Sequence, residues 1–327
     1  MPNVSLIMTV LNESQTIRHL LTSLRDQEHP PDEIVIVDGG STDDTVAIIE
    51  SYAEALPIRL LHAPGCNISQ GRNRAIAAAH GPIIAATDAG VRIPPDWLAR
   101  LLAPWQGEHP PAVVAGFFLP DPDPASAFQV AMSATVLPQP DEIIPDKFLP
   151  SSRSVAFTKA AWEAVGGYPE WLDYSEDLIF DLRLKARYGD FSFAPAAVVY
   201  FRPRETPRAF FKQYYRYARG DGKADLWRKR HAARYVTYGV LIPGLALGGW
   251  LVHPAVWSGY LLGGAVYLRA PYKRLPRLWA DLGTGRRLLA ILYVPVIRVV
   301  GDVAKMLGYP AGWRWRLQHR PPDWRQP

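Results

Sequence analysis

One pattern, repeated from residue 3 to about residue 119, leaves this chain few folds to adopt: short β-branched runs alternate with amphipathic stretches. Val4 to Val10 precedes a helix opened at Asn12-Glu13-Ser14, whose Ile17, Leu20, Leu21 and Leu24 keep helical spacing. Glu33 to Asp38 is a nearly continuous apolar run of the kind that a strand buried on both faces requires, and Ser41 to Asp44 caps a second helix. Ile58 to Leu61 leads to a helix around Arg72 to Ala79, and Ile83 to Thr87 ends at Asp88. Strands alternating with helices imply right-handed βαβ units on a mostly parallel sheet flanked by helices, an α/β fold whose ligands sit at the carboxyl ends of the strands. Asp38 and Asp88 both fall at that edge. Met1-Pro-Asn3 runs straight into the first apolar run with no basic n-region, so the expected opening is a strand and not a signal peptide.

Charge separates the chain into two bodies. The net charge is +5, but the residues up to Phe201 hold 13 Lys+Arg against 25 Asp+Glu and the remainder 23 against 6, giving −12 and +17. With 48% hydrophobic and 20% charged residues the chain is neither disordered nor collagen-like. One cysteine, Cys66, excludes an intramolecular disulfide, which fits a cytosolic main domain.

Residues 120–150 are rich in Pro and Asp and are expected to form a loop with a short helix near Ala125 to Thr135, serving as a mobile lid or an acceptor-facing segment. Glu176-Asp177 opens a helix to about Tyr188, Phe191 to Phe201 reads as one or two strands broken at Pro195, and Pro207 starts a basic, aromatic helix to Gly220. The domain reading is therefore a catalytic body over residues 1–220 and a basic C-terminal region over 221–327.

Within that region the 34 residues Tyr235 to Leu268 contain no Lys, Arg, Asp or Glu, long enough to enter a bilayer. Basic residues flank both ends, Arg228, Lys229, Arg230 and Arg234 before and Arg269, Lys273, Arg274 and Arg277 after, so a single span would place one cluster on the wrong side. The expectation is a membrane hairpin over about 235–268, shallow or re-entrant, with its tip near His253, followed by an apolar or interfacial helix over about 288–308. A buried helical pair in a soluble protein is the alternative. A nucleic-acid binder, which the +17 tail alone would suggest, has no use for the uncharged run.

No Gly-rich dinucleotide fingerprint follows the first strand and no P-loop occurs, so hydride transfer and P-loop phosphoryl transfer are excluded. Carboxylates stand at the strand ends instead: Glu13, Asp38 and Asp88. There they suit ribose hydroxyls, a base edge or a divalent cation on a diphosphate. Glu13, Asp43 and Asp44, taken alone, read first as helix caps.

Several segments in order resemble the inverting family 2 glycosyltransferases of the GT-A fold. Val4 to Glu13 is similar to that family's opening strand and Asn-Glu turn, and Pro31 to Thr45 to its second strand and nucleotide-binding turn. Gly71-Arg72-Asn73 and Ile83 to Asp88 resemble the helix and strand that lead to its metal ligand. Glu176-Asp177 resembles its acceptor-site acidic pair, and Gln213 to Tyr217 its Gln-x-x-Arg-Trp motif, with Tyr217 where the motif has Trp. The family's Asp-x-Asp is here Asp88-Ala-Gly90, without the second carboxylate.

The resemblance implies transfer of a sugar from a nucleotide-sugar donor, expected to be a UDP-sugar, to a hydroxyl of a lipid-linked or glycan acceptor with inversion. It implies Asp177 as general base beside Glu176, whose like charge raises its neighbour's pKa. Glu13, Asp38, Arg72, Asp88, Gln213 and Arg216 would contact the donor, with Asp88 also holding a Mg²⁺ or Mn²⁺ ion. Arg216 suits diphosphate through its bidentate fork. The enzyme is expected at the cell membrane with its catalytic domain cytoplasmic, building cell-envelope polysaccharide. The rival from another class is a catalytically silent, membrane-bound sugar-nucleotide-binding or scaffolding protein.

Overall fold

The computed structural model describes residues 3–325, so residues 1–2 and the last two of the expected C-terminal region, 326–327, lie outside the described residues. In chain order the first elements are β1 (Val4–Val10), α1 (Ile17–Arg25), β2 (Glu33–Asp38), α2 (Thr45–Glu50), β3 (Ile58–His62), α3 (Ile68–Ala78), β4 (Ile83–Ala86), β5 (Val91–Arg92) and α4 (Trp97–Leu102). There follow β6 (Val113–Pro120), α5 (Ala127–Val136), β7 (Val155–Thr158), α6 (Lys159–Ala164), α7 (Glu176–Tyr188) and β8 (Ser192–Phe201). The rest is helical: α8 (Pro207–Ala224), α9 (Arg228–Val236), α10 (Ile242–Leu251), α11 (Ser258–Arg274) and α12 (Thr284–His319).

These elements divide into two units. The first comprises the chain up to Asp121, Gln139–Arg202 and the chain from Pro322; the second comprises Pro122–Pro138 and Pro203–Pro321.

The first unit is an eight-stranded sheet in the order β3-β2-β1-β4-β7-β6-β8-β5. β1, β2, β3 and β4 are parallel, with Ile7 beside Val35 and Ala86, while β7 enters antiparallel between β4 and β6. Alternation along each strand feeds two cores. Leu6, Met8, Ile34 and Ile36 pack with Leu20 and Leu24 of α1 and Trp97 of α4 on one face. Ile7, Val35 and Ile84 pack with Ile76 of α3, Ala161 of α6 and Phe180 of α7 on the other. The expected break at Pro195 is a register irregularity: Ala115 of β6 faces Phe193 of β8, yet Phe117 faces Val198.

The second unit is all helical among the described residues. Phe128 and Met132 of α5, Phe210 of α8 and Val294 and Ile297 of α12 share one apolar cluster. α12 is 36 residues, about 54 Å at 1.5 Å per residue. It lies against α8 at backbone contact, because a Cβ on Gly222, Gly308 or Gly312 would come within 2.2, 2.2 and 2.0 Å of a carbonyl oxygen on the facing helix.

Three expectations change here. The division falls at Arg202 and not at residue 220, since the glycine-lined contact assigns α8 to the second unit. The short helix expected near Ala125 to Thr135 is α5, but its residues Ala127 to Thr135 are all buried, so this part of the segment is packed and not mobile. The uncharged run does turn back near His253, where α10 ends and a short turn leads into α11, and Tyr260 Oη donates to Ile242 O at 2.6 Å across the pair. Its arms are short, however, and no described helix is long and apolar enough to cross a membrane. Leu247, Trp250, Leu251, Val252, Leu261 and Val266 of this hairpin are exposed.

Candidate active site

The Gly71-Arg72-Asn73 triplet explains itself residue by residue. An Asn67–Gln70 capping box starts α3, with Gln70 N donating to Asn67 Oδ1 at 2.9 Å and Asn67 N to Gln70 Oε1 at 3.0 Å. Gly71 lets the helix touch β1, because a Cβ there would lie 2.5 Å from Thr9 Cγ2. Asn73 staples α3 to the segment before α7: its Nδ2 donates to Tyr168 O at 2.8 Å, and its Oδ1 accepts from Tyr168 N at 2.9 Å and Trp162 Nε1 at 3.0 Å. Arg72, between them, is held under the sheet edge and is 3% exposed.

From there Arg72 joins two elements. Its Nη2 donates to Asp88 Oδ1 at 2.9 Å, just beyond β4, and its Nη1 to Glu176 Oε1 at 2.7 Å, at the start of α7. The guanidinium also lies over the Tyr168 ring, 5.3 Å from its centroid. Although burial opposes its charge, Asp88 and Glu176 together raise its pKa further above the usual arginine range. Asp88 has a second cation: Arg153 Nε stands 3.3 Å from its Oδ2. Thr87 Oγ1 donates to the Arg153 carbonyl at 3.0 Å, which fixes the arginine's backbone beside β4.

Glu176 and Asp177 differ in environment. Ser175 adopts a left-handed backbone, φ 65°, that starts α7 without a side-chain cap. Glu176 is buried, whereas Asp177 is half-buried, with Oδ1 accepting from Leu178 N at 2.8 Å. Burial and the charge of Asp177 push the Glu176 pKa up to about 7, against the opposing pull of Arg72. The raised carboxyl is thus the paired, inner one. One turn on, Asp181 is also buried and its Oδ2 has no hydrogen-bond partner among the described residues; burial and Asp177 raise its pKa well above the ordinary range. Sequence reading passed over Asp181, although its spacing of four from Asp177 puts both on one helix face.

The strand-end acids of β1 and β2 serve their loops. Asp38 is buried, its carboxylate accepting from Gly40 N at 3.1 Å and Ser41 N at 3.1 and 3.2 Å. Glu13 Oε2 accepts from Thr16 Oγ1 at 2.7 Å, and Glu13 O from the backbone of Thr16 and Ile17, the local capping role. Asn12 and Ser41 tie the two loops together, Asn12 N donating to Ser41 Oγ and Thr42 N to Asn12 Oδ1, both at 2.9 Å. Asp43 is held down to about 2, first by its hydrogen bond from Thr45.

So the first unit brings together Arg72, Asp88, Glu176 and Asp177, and it adds Arg153. Asp38 ends β2 and Glu13 stands in the loop after β1. Gln213 and Arg216 are on α8 of the second unit, where Gln213 Nε2 donates to Tyr217 Oη at 2.7 Å.

The residues around Asp88 are a poor match to a divalent-ion site. Both its oxygens face guanidinium groups, Gly90 offers no second carboxylate, and no group of three or more His, Cys, Asp or Glu among the described residues is arranged to hold a metal. Each Asp88 oxygen keeps another lone pair, but an ion bound there would meet two fixed positive charges.

Residues 5–154 match the model of glycosyl transferase family 2, and residues 144–300 that of glycosyl transferase family group 2. The chain is 28% identical to the succinoglycan biosynthesis protein ExoA of Rhizobium meliloti over 82% of this chain and 87% of that one. It is 32% identical to the putative glycosyltransferase EpsH of Bacillus subtilis over 43% of this chain and 41% of that one. Among solved structures it is similar to the mannosyltransferase PcManGT of Pyrobaculum calidifontis, in complex with GDP-Man and Mn²⁺, at 18% identity and a TM-score of 0.54, covering 98% of this chain and 88% of that one. S. aureus TarS in complex with UDP-GlcNAc is similar at 19% identity and a TM-score of 0.51, over 97% and 92% of the two chains.

Proposed function

Since the chain belongs to glycosyltransferase family 2 and has its GT-A fold, we propose that it moves a sugar from a nucleotide-sugar donor to a hydroxyl of a lipid-linked or glycan acceptor, with inversion. The observation that carries this reading is the buried Arg72, which ties the Asp88 carboxylate at the sheet edge to the Glu176-Asp177 pair. Similarity across most of its length to a protein of succinoglycan biosynthesis supports a glycan-building role. The donors bound by the two structural neighbours support a nucleoside diphosphate leaving group.

In the proposed reaction Asp177 takes the proton of the acceptor hydroxyl. The hydroxyl oxygen forms a bond to the anomeric carbon from the face opposite the leaving group. The bond from that carbon to the diphosphate oxygen breaks, and its electron pair leaves with the diphosphate. Glu176, locked to Arg72, holds the start of α7 so that Asp177 keeps its position. The Asp38 and Glu13 loops receive the nucleotide.

The exposed apolar hairpin with basic residues at both roots supports a seat on an anionic membrane surface, the charged side chains meeting headgroups. The site's half of the chain then faces the cytoplasm.

A panel of UDP-, GDP- and dTDP-sugars, assayed for nucleoside diphosphate release with membrane glycolipid as acceptor, tests the reading. Turnover of one donor class is expected. A protein that neither binds nor turns over any of them would be a scaffold and not a transferase.

A further inference from the structure

The geometry points to an arginine pair, Arg153 with Arg72 behind it, as the cationic group that meets the donor diphosphate in place of a divalent ion, with Asp88 as their anchor. This rests on the nucleotide-sugar reading above. Three observations carry it.

First, Asp88 is committed on both sides, to Arg72 at 2.9 Å and to Arg153 at 3.3 Å, and position 90 is glycine. A carboxylate that neutralises two guanidinium groups has little charge left with which to attract a cation.

Second, Arg153 is built into place. Its carbonyl is fixed by Thr87 Oγ1, and its guanidinium lies 5.5 and 5.1 Å from the centroids of the Phe118 and Phe201 rings. Two aromatic rings and Ser151 Oγ, which accepts from Arg153 Nη1 at 3.4 Å, hold the guanidinium in place. The side chain is 24% exposed and Asp88 30%, so the pair opens to solvent at the carboxyl ends of the parallel strands, where ligands bind in such sheets.

Third, the charges suit the task. With Asp88 counted against them the two guanidinium groups leave one positive charge while Glu176 is protonated, and the planar fork of Arg153 matches diphosphate oxygens bidentately. Arg72 is too deeply buried to reach a ligand; it positions Asp88 and adds its field from beneath. Arg153 makes the contact.

The test is calorimetric titration of the full chain with UDP, GDP and dTDP, in excess EDTA and again in Mn²⁺. The wild type is expected to bind one of them with affinities within about three-fold in the two media, a difference far below the loss of a charge-assisted contact. Arg153→Gln should weaken binding about ten- to hundred-fold in both media, the loss of one or two such hydrogen bonds. Arg153→Lys keeps the charge without the fork and should recover only part, and it stands in should the Gln variant fail to fold. Binding that appears in Mn²⁺ and vanishes in EDTA overturns the inference and returns Asp88 to metal ligation. Unchanged affinity in both variants overturns it too. If the wild type binds none of the nucleotides in either medium, the donor reading itself falls and takes the arginine pair with it.

Discussion

Replacing Arg72 by Met removes the one group that joins Asp88 to Glu176, and the consequence should depend on pH. The pH-independent part is the loss of two charge-assisted hydrogen bonds in a buried setting, about 3–5 kcal/mol for breaking a buried pair. The pH-dependent part belongs to Glu176. Its pKa in the folded protein is about 7 against an ordinary 4.5, so folding favours its protonated form, and the group's contribution to stability is lost as pH rises from 4.5 through 7. Between pH 6 and pH 8 this costs the wild type about 1 kcal/mol, because ionisation in the fold is nearly complete by pH 8. Without Arg72 the carboxyl is pushed further toward its protonated form, and the loss moves toward the one-proton limit of about 3 kcal/mol. Equilibrium urea unfolding of wild type and Arg72→Met at pH 6 and pH 8 should therefore show the variant losing about 1 kcal/mol or more beyond the wild type. Groups remote from Arg72 are common to both proteins and cancel, while Asp181, which Arg72 also pulls down, changes in the same direction. Adding Glu176→Gln to each should shrink the difference. Equal pH slopes in the two parent proteins would refute the claim that Arg72 is what permits Glu176 to ionise.

Gly71→Ala should cost about 1–3 kcal/mol by overpacking, because its methyl would meet Thr9 Cγ2, and it should lower turnover by displacing Arg72; thermal unfolding and kcat together check this. In the second unit Asp302 takes Arg234 Nε at 2.9 Å and Tyr267 Oη at 2.5 Å, so Asp302→Asn should loosen the hairpin and raise amide exchange in α10 and α11 while leaving that of β1 unchanged. For the hairpin tip, a Cys66→Ser, His253→Cys variant should be shielded from an impermeant thiol reagent once vesicles of anionic lipid are added. Labelling of residue 253 at the same rate with and without vesicles would remove the membrane seat.

What could be read from the sequence follows the range of the interactions. The parallel half of the sheet is local: each of β1, β2 and β4 carries its own apolar run, and the next helix follows within the same unit, so the strand-end placement of Asp38 and Asp88 was legible. The sequence offered Arg153 only as a phosphate-contact candidate beside Arg92, and its pairing with Asp88 was not legible, because it arises through antiparallel pairing of β7 with β4, which joins residues some 70 apart by hydrogen bonds that leave no periodicity. The boundary at Arg202 was hidden for a similar reason. α8 meets α12 through Gly222, Gly308 and Gly312, and only the four-residue spacing of the last two hinted at a close helix contact. The turn at His253-Pro254 was legible as the hairpin tip, whereas the π-helical turn at Thr237–Leu241, which shortens the first arm to Ile242–Leu251, was not. Glu176 and Asp177 were found as a pair, but that Glu176 is the buried one, paired with Arg72 104 residues upstream in sequence, was not legible from local spacing.

The claim on which the rest depends is that Asp177 accepts the acceptor's proton in a glycosyl transfer. The direct measurement is the single-turnover transfer rate of Asp177→Asn beside the wild type, together with donor affinity for both. The account predicts a fall of about 10²–10⁴ in rate with donor affinity within about three-fold, since geometry survives and only proton acceptance is lost. Retention of more than about a tenth of the wild-type rate is incompatible with a positioned base and would contradict it.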